Sequence, residues 1–357
     1  MKICFLEGDM SRRGGTERMT SIISGALCEK GHEILVVSRS LENGKVFFDF
    51  DSRVTHIVLH EAKGKLGIIK HIQELRKIIK REQVDMVINV DIGMGIYGIC
   101  ASMGRSVKVV TWEHANYFNN WGSAIFPYFR KFAMKHSDAL VVLTEKDKEN
   151  YQTNIKSKTP VYVIPNPVNR HNFSYDVYSK TILSAGLLLP IKGYEKAIQV
   201  ARKVFDECPD WKWIVCGEGS ERNHLEELIR ENNLQENLIL KGTVQNMEEQ
   251  YQKAAMFVMT SQMEGLPMVL LEAKSWGLPL VSFDIMTGPS DIIQDGVNGY
   301  LIEEGNIDEM AERIVELIKN DSKRKVFSKE SQRDMDKFEM EKITSQWNEL
   351  VSSLCKS

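Results

Sequence analysis

Residues 2–18 read Lys2-Ile3-Cys4-Phe5-Leu6-Glu7-Gly8-Asp9-Met10-Ser11-Arg12-Arg13-Gly14-Gly15-Thr16-Glu17-Arg18. A short apolar run meets a glycine-bearing turn, and a helical pattern follows from Gly15, as in a buried strand that feeds a crossover helix. The same alternation continues along the chain. In the first half, strands are expected at 2–7, 33–38, 54–59, 86–90, 108–112, 139–143 and 161–164, with helices near 15–30, 66–82, 94–103, 121–137 and 145–154. In the second half, strands are expected near 181–185, 212–216, 238–241, 256–259 and 280–282. Helices are expected there near 193–205, 220–232, 246–254, 267–276 and 306–320, with a last amphipathic stretch over 335–355. Strands alternating with helices give parallel sheets covered on both faces. Pro165-Asn166-Pro167, followed by a polar stretch to Lys180, is the clearest linker. A chain of 357 residues is long enough for two cores. The expected fold class is therefore α/β, with two doubly wound Rossmann-like domains facing a central cleft. Residues 1–168 form the first, residues 169–335 the second, and residues 336–357 a terminal helix packing back towards the first.

Composition narrows the class. With 43% hydrophobic and 27% charged residues the chain is of ordinary globular type, and disordered, collagen-like and coiled-coil classes drop out. No run of 18 uncharged apolar residues occurs, and Glu7 and Asp9 interrupt the first apolar run too soon for a signal-peptide core. The six cysteines show no C-x-x-C spacing, so a cytoplasmic setting is expected. The net charge of −3 hides an asymmetry: residues 1–170 carry +7 and the remainder −10. A basic half suits phosphate-rich ligands, nucleic acid or an anionic membrane surface. No nucleic-acid recognition motif accompanies the charge, so nucleic acid is not an expected partner.

The loop after the first strand lacks G-x-G-x-x-G, which argues against a nicotinamide dehydrogenase. Adjacent Gly14 and Gly15 at a helix start still let amides approach a phosphate, although an empty turn explains them equally well. In the second half, Leu183-Ser184-Ala185-Gly186 leads to Lys192-Gly193 at a helix start. Lys192 there could bind a phosphate, and taken singly a solvated lysine is the simpler reading. The sharpest constellation is Glu264-Gly265-Leu266-Pro267-Met268-Val269-Leu270-Leu271-Glu272. Pro267 suits a first helical turn, which leaves Glu264 in the preceding loop and Glu272 on the helix. Ionised carboxylates accept hydrogen bonds and so suit the vicinal diols of a sugar or ribose, while the amides of Gly265 and Leu266 could meet a phosphate or hydroxyl. Gly288-Pro289-Ser290-Asp291 and Asp295-Gly296-Val297-Asn298-Gly299 are expected as loops near them.

Taken together, these segments resemble the retaining glycosyltransferases of family four, with the GT-B fold, of the type that builds bacterial cell-surface polysaccharides. The match runs over nearly the whole chain. It rests on Gly14-Gly15-Thr16-Glu17-Arg18, Ile164-Pro165-Asn166-Pro167-Val168, Gly186 with Lys192-Gly193, Gly217-Glu218-Gly219, Gly242-Thr243-Val244, the Glu264/Glu272 pair and residues 295–299. The resemblance implies transfer of a hexose or N-acetylhexosamine from a nucleotide sugar, UDP-linked by expectation, to a glycan or lipid-linked acceptor. Glu272 would then hold the ribose hydroxyls and Glu264 the donor sugar near its reacting carbon. Lys192 and the Gly15 amide would cradle the diphosphate, the Val244 backbone would touch the base, and Gly217, Gly265 and Leu266 would complete the donor site. His114 matches the family's first-domain histidine beside the sugar, so the catalytic set is Glu264, His114 and Lys192. No metal or other cofactor is implied. Asp49-Phe50-Asp51 and Asp334-Met335-Asp336 imitate a metal-binding D-x-D, but neither follows a nucleotide-binding strand in the required order.

One position departs from the family. Leu187 stands where the family usually places an arginine, and loss of one charge-assisted contact costs about 1.5–3 kcal/mol. Arg12, Arg13 or Arg18 would compensate, or donor affinity and turnover are lower. Two alternatives stay open: a nucleotide-sugar epimerase on the same fold, and a catalytically weakened nucleotide- or glycan-binding subunit. The basic, apolar-interleaved segments 63–82 and 121–135 also suit peripheral contact with an anionic bilayer at the inner face of the cell membrane, a solvated face over a packed stripe being the alternative.

Overall fold

The computed structural model describes every residue except 61–63 and 357, and every side chain among them except those of Lys65 and Lys356. Two compact units emerge, one of Met1–Pro167 with Met340–Ser357, the other of Val168–Glu339.

In the first unit the order along the chain is β1 (Lys2–Asp9), α1 (Gly15–Glu29), β2 (Glu33–Ser40), β3 (Thr55–Val58), α2 (Gly64–Arg81), β4 (Met86–Val90), α3 (Ile92–Ser102), β5 (Lys108–Trp112), α4 (Phe126–His136), β6 (Ala139–Val142), α5 (Glu145–Asn154) and β7 (Val161–Val163). The seven strands form one parallel sheet in the order β3-β2-β1-β4-β5-β6-β7. Every residue of β4 and β6 is buried, which explains their unbroken apolar runs: a parallel strand with helices on both faces has no solvent side. The chain winds outward from β1 in both directions, so the carboxyl ends of β1 and β4 border a topological switch point.

The second unit repeats the scheme with β8 (Thr181–Ala185), α6 (Tyr194–Glu207), β9 (Lys212–Cys216), α7 (Arg222–Glu231), β10 (Leu238–Gly242), α8 (Met247–Lys253), β11 (Met256–Met259), α9 (Met268–Ser275), β12 (Leu280–Asp284), α10 (Pro289–Ile292), β13 (Gly299–Glu303), α11 (Ile307–Lys319) and α12 (Asp321–Ser331). Its six parallel strands run β10-β9-β8-β11-β12-β13, so the switch point falls between β8 and β11. Finally α13 (Met340–Lys356) belongs to the first unit, where Trp347 is fully buried and meets Trp112 edge-on at 4.9 Å.

Several expectations are corrected. Gly299, expected to close the 295–299 loop, instead opens the edge strand β13, which the sequence reading did not mark; Tyr300 and Ile302 are inward and Leu301 half-exposed. Residues 289–291, also expected as loop, fall in the single turn α10. Helix α12 lacks an apolar stripe because a buried arginine holds it: Arg324 donates to the carbonyls of Leu317, Ile318 and Val177 and to Asp321. Helix α4 starts at Phe126 rather than 121, since Trp121 (φ +48°) and Gly122 (φ +69°) turn the chain. Pro267 is the residue before α9 rather than its first turn.

Two buried carboxyls mark the carboxyl edge of the first sheet. Glu7, 4% exposed, accepts from the Gly8 N–H at 2.8 Å and the Thr20 hydroxyl at 3.1 Å. Burial, reinforced by the charge of Glu17, pushes its pKa up to about 8. Glu113, 1% exposed, is likewise raised to about 8 by burial and by Asp91. Each is neutral in the folded chain at pH 7 but ionised when unfolded, so the native state binds more protons between the ordinary value of 4.5 and about 8. Stability from these groups is therefore full at acidic pH and declines as pH rises through that window. His114, lowered by burial to about 3, has the opposite sign and acts only below its ordinary value of 6.5. The thermal midpoint should accordingly fall from pH 7 to pH 9, and Glu7→Gln should flatten that fall. Circular-dichroism melts of both proteins check this, and parallel slopes would show that Glu7 is not the titrating group.

Candidate active site

In the second unit the chain leaves β8 through Gly186 and Leu187 into a single 3-10 turn, Pro190–Lys192. Gly193 follows at φ +66°, and a Cβ there would stand 2.2 Å from the Thr260 carbonyl oxygen, so this close approach requires glycine. The Thr260 hydroxyl in turn donates to the Lys192 carbonyl at 3.2 Å. Lys192 is thereby fastened to the carboxyl end of β11. The loop leaving β11 carries Glu264, and Lys192 Nζ lies 2.6 Å from Glu264 Oε1, with side-chain exposures of 24% and 13%. The two residues that sequence spacing singled out separately thus form one ion pair at the β8/β11 switch point.

The loop itself is braced. The Thr287 hydroxyl donates to the Glu264 carbonyl at 2.6 Å, and Gly288 (φ +100°) packs so closely on Pro267 and the Gly265 carbonyl that no side chain fits. Gly265 is half-buried and Leu266 buried. Glu272 lies on α9 and accepts from the Tyr251 hydroxyl at 2.8 Å. Gly217, at the end of β9, would place a Cβ 1.8 Å from the Gly186 carbonyl, and its N–H donates to Gly242 at 2.9 Å. Val244, half-buried, lies two residues past β10. A cavity of about 750 Å³ opens beside this region, lined by Leu189, Pro190, Tyr194, Glu221, Gln262 and Met263 among others. None of Lys192, Glu264 or Glu272 lines it, so the polar constellation rather than the cavity defines the candidate site. Among the described residues, Glu195, Glu221 and His224 bring one donor atom each to within 4.8 Å of one another; His224 Nε2 lies 2.9 Å from Glu195 Oε1, an exposed hydrogen-bonded contact.

In the first unit, Gly15 opens α1 after Gly14, and the side where its Cβ would stand is open. Glu17 folds back so that its carboxylate fills the Cβ position of Gly14, which places a carboxylate at this helix start. Of the arginines expected to compensate for Leu187, Arg12 lies 3.7 Å from Asp9 and 3.9 Å from Glu42. Arg13 sits 4.8 Å over the ring of Phe47, and Arg18 is exposed on the first turn of α1. Leu187 is 51% exposed. His114 follows β5, its ring centroid 4.2 Å from that of Trp112, and burial holds its imidazole neutral at pH 7.

Sequence reasoning missed the supports of His114. The Glu113 carboxylate accepts from the Tyr151 hydroxyl at 2.8 Å and the Ala115 N–H at 3.0 Å, pinning the start of the loop. Arg130, which the amphipathic reading counted among the membrane-facing cations, is 2% exposed instead. It donates to the Asn119 carbonyl and to Asn120 Oδ1 and sits 5.5 Å from the Tyr117 ring, clamping residues 117–120. Asp91, at the end of β4, holds φ +74° and caps α3 through the Gly93 N–H, a strained conformation of the kind that clusters at functional sites.

Comparison with known proteins agrees with the fold. The family of glycosyl transferases group 1 matches residues 169–334, and glycosyltransferase family 4 matches residues 13–172. An uncharacterized glycosyltransferase of Haemophilus influenzae is 27% identical over 98% of this chain and 99% of its own length. The amylovoran biosynthesis glycosyltransferase AmsD of Erwinia amylovora is 26% identical over 98% and 99%. Among solved structures, a point mutant of Staphylococcus aureus TarM, in complex with fondaparinux, α-GlcNAc-glycerol and UDP, superposes with a TM-score of 0.80 at 19% identity, covering 100% of both chains. With two Rossmann-like sheets and both halves matched by glycosyltransferase families, the chain belongs to the family-four glycosyltransferases of the GT-B fold.

Proposed function

We propose that this glycosyltransferase moves a hexose or N-acetylhexosamine from a UDP-linked donor to a glycan or lipid-linked acceptor in cell-surface polysaccharide synthesis, with retention at the anomeric carbon. The observation that carries the reading is the Lys192–Glu264 pair at the carboxyl ends of β8 and β11, with Glu272 on the following helix. The name of AmsD and the UDP held by TarM support the substrate class.

Glycosyl transfer passes through an oxocarbenium-like state while negative charge grows on the departing diphosphate. Lys192 would be the cation at that position; contact with a phosphate would draw it from Glu264 and leave that carboxylate to accept from sugar hydroxyls. An attraction that strengthens as leaving-group charge develops lowers the barrier rather than only tightening binding. Glu272 would accept from the ribose diol, Val244 would meet the base, and Gly217, Gly265 and Leu266 would line the donor. His114, neutral and wedged on Trp112, would face the transferred sugar, and the Gly15 amide the diphosphate. Removing the cation in Lys192→Ala should lower kcat/KM for the donor about a hundredfold, about 2.7 kcal/mol, and Glu264→Ala should act mainly on kcat. A release assay for the nucleoside diphosphate in the presence of acceptor measures both.

Leu187 favours a second reading, a weakened binding subunit. If wild type, Lys192→Ala and Glu264→Ala are equally inactive with every donor offered, that reading replaces the first. Leu187 is exposed enough to accept a longer side chain. Leu187→Arg should therefore lower the donor KM about tenfold, within the worth of one charge-assisted contact.

No described helix is long and apolar enough to cross a membrane. Peripheral contact is proposed through α4 and its approach, where Trp121, Ile125 and Tyr128 are exposed together with Lys131 and Lys135. On α2, Leu66 and Ile69 are exposed beside Lys70, while Lys63 lies outside the described residues. Flotation with vesicles rich in anionic lipid should capture the protein, and Lys131→Glu with Lys135→Glu should release it; equal capture by neutral vesicles would argue against this contact.

A further inference from the structure

We infer that Tyr251 is a positioning residue that aims the Glu272 carboxylate at the 2′,3′-diol of a ribonucleoside, and so helps this chain prefer ribonucleotide over deoxyribonucleotide ligands. The inference rests on the reading of Glu272 as the ribose-binding carboxylate.

The geometry is local to the second unit. Helix α8 begins a few residues past Gly242-Thr243-Val244, the segment proposed to meet the base, and Asn246 caps it by accepting the Glu249 N–H. Tyr251, on the last turn of α8, is 3% exposed, and its ring packs 6.1 Å from that of Phe257 on β11. A buried phenol on a capped helix has little rotamer freedom, so its hydroxyl has a fixed direction. It donates to Glu272 Oε2 at 2.8 Å. Glutamate is a long side chain with three rotatable bonds, and Glu272 is only half-buried, so without a partner its carboxylate would sample several positions. An ionised carboxylate accepts at about four lone-pair sites. Tyr251 takes one of these sites, on Oε2, and so fixes the direction in which the carboxylate is presented. The contact also ties the helix that follows the base-side segment to the helix that bears the ribose-side carboxylate, so two parts of one nucleoside would be read by elements fixed to each other.

Calorimetric titration of the full chain with UDP and with 2′,3′-dideoxy-UDP tests this. Wild type should bind UDP at least tenfold more tightly than the dideoxy compound, and Glu272→Gln should abolish that ratio. Tyr251→Phe keeps the ring and its packing and removes only the hydroxyl. It should reduce the ratio several-fold with dideoxy-UDP affinity unchanged, and the double variant should bind UDP no more weakly than Glu272→Gln alone. In turnover, Tyr251→Phe should raise the donor KM with little change in kcat. A Tyr251→Phe protein that keeps the wild-type ratio, or that weakens both ligands equally, overturns the role of Tyr251 while the ribose reading stands. A wild type without preference, or a preference that survives in Glu272→Gln, overturns both.

Discussion

The ion pair of Lys192 with Glu264 is the contact that brings the candidate site of the second unit together. It joins the loops leaving β8 and β11, the two strands from which that sheet winds in opposite directions. Opposite winding leaves a gap in the layer of crossover helices, and the groups on these two loops are placed to reach it. Backbone constraints hold each half of the pair: Gly193 against the Thr260 carbonyl for the lysine, and the Thr287 and Gly288 turn against residues 264–267 for the glutamate. Both charges are mostly shielded from water. Each satisfies the other while the site is open, and either becomes expensive if its partner is deleted without a substitute. A phosphate that attracts the lysine and a hydroxylated ligand that donates to the glutamate would replace both halves of the pair at once.

The first unit places a different chemistry at its strand ends. Glu7, Glu17, Asp91 and Glu113 gather near the carboxyl edge of the sheet, and burial raises the pKa of each. The nearby buried cation, Arg130, is engaged with the backbone and side chains of residues 119–120. Burial is also what keeps the imidazole of His114 uncharged at pH 7. The basic character of this half lies instead on its outer helices, where Lys131, Lys135, Lys77 and Lys80 are exposed.

Most of the architecture can be read from the chain because parallel strands, buried on both faces, write themselves as apolar runs. β4 and β6 are wholly buried and unmistakable. β13 is not, since an edge strand of five residues beginning at Gly299 merges into the preceding turn. α12 escapes because its inner face is built on the guanidinium of Arg324, and a helix held by donated hydrogen bonds has no apolar period to detect. The same reason hides Arg130, whose place in a basic and aromatic run gives no sign that it is buried. In the site, Lys192 and Glu264 stand out by their place in loops that lead into helices, and Glu272 by its spacing from Glu264. Tyr251 does not, because a tyrosine in an otherwise polar helix becomes meaningful only when its hydroxyl is seen to point at a particular carboxylate.

The burial of Trp347 against Trp112 has a consequence for biogenesis. A segment near residue 347 fills the core of a unit whose sheet is complete by residue 163, and the whole second unit is synthesised in between. On the ribosome, that sheet must wait as a nascent intermediate with the Trp112 side of its core uncovered, while the second unit can close as soon as its own strands emerge. It is therefore the earlier half of the chain whose core is completed last.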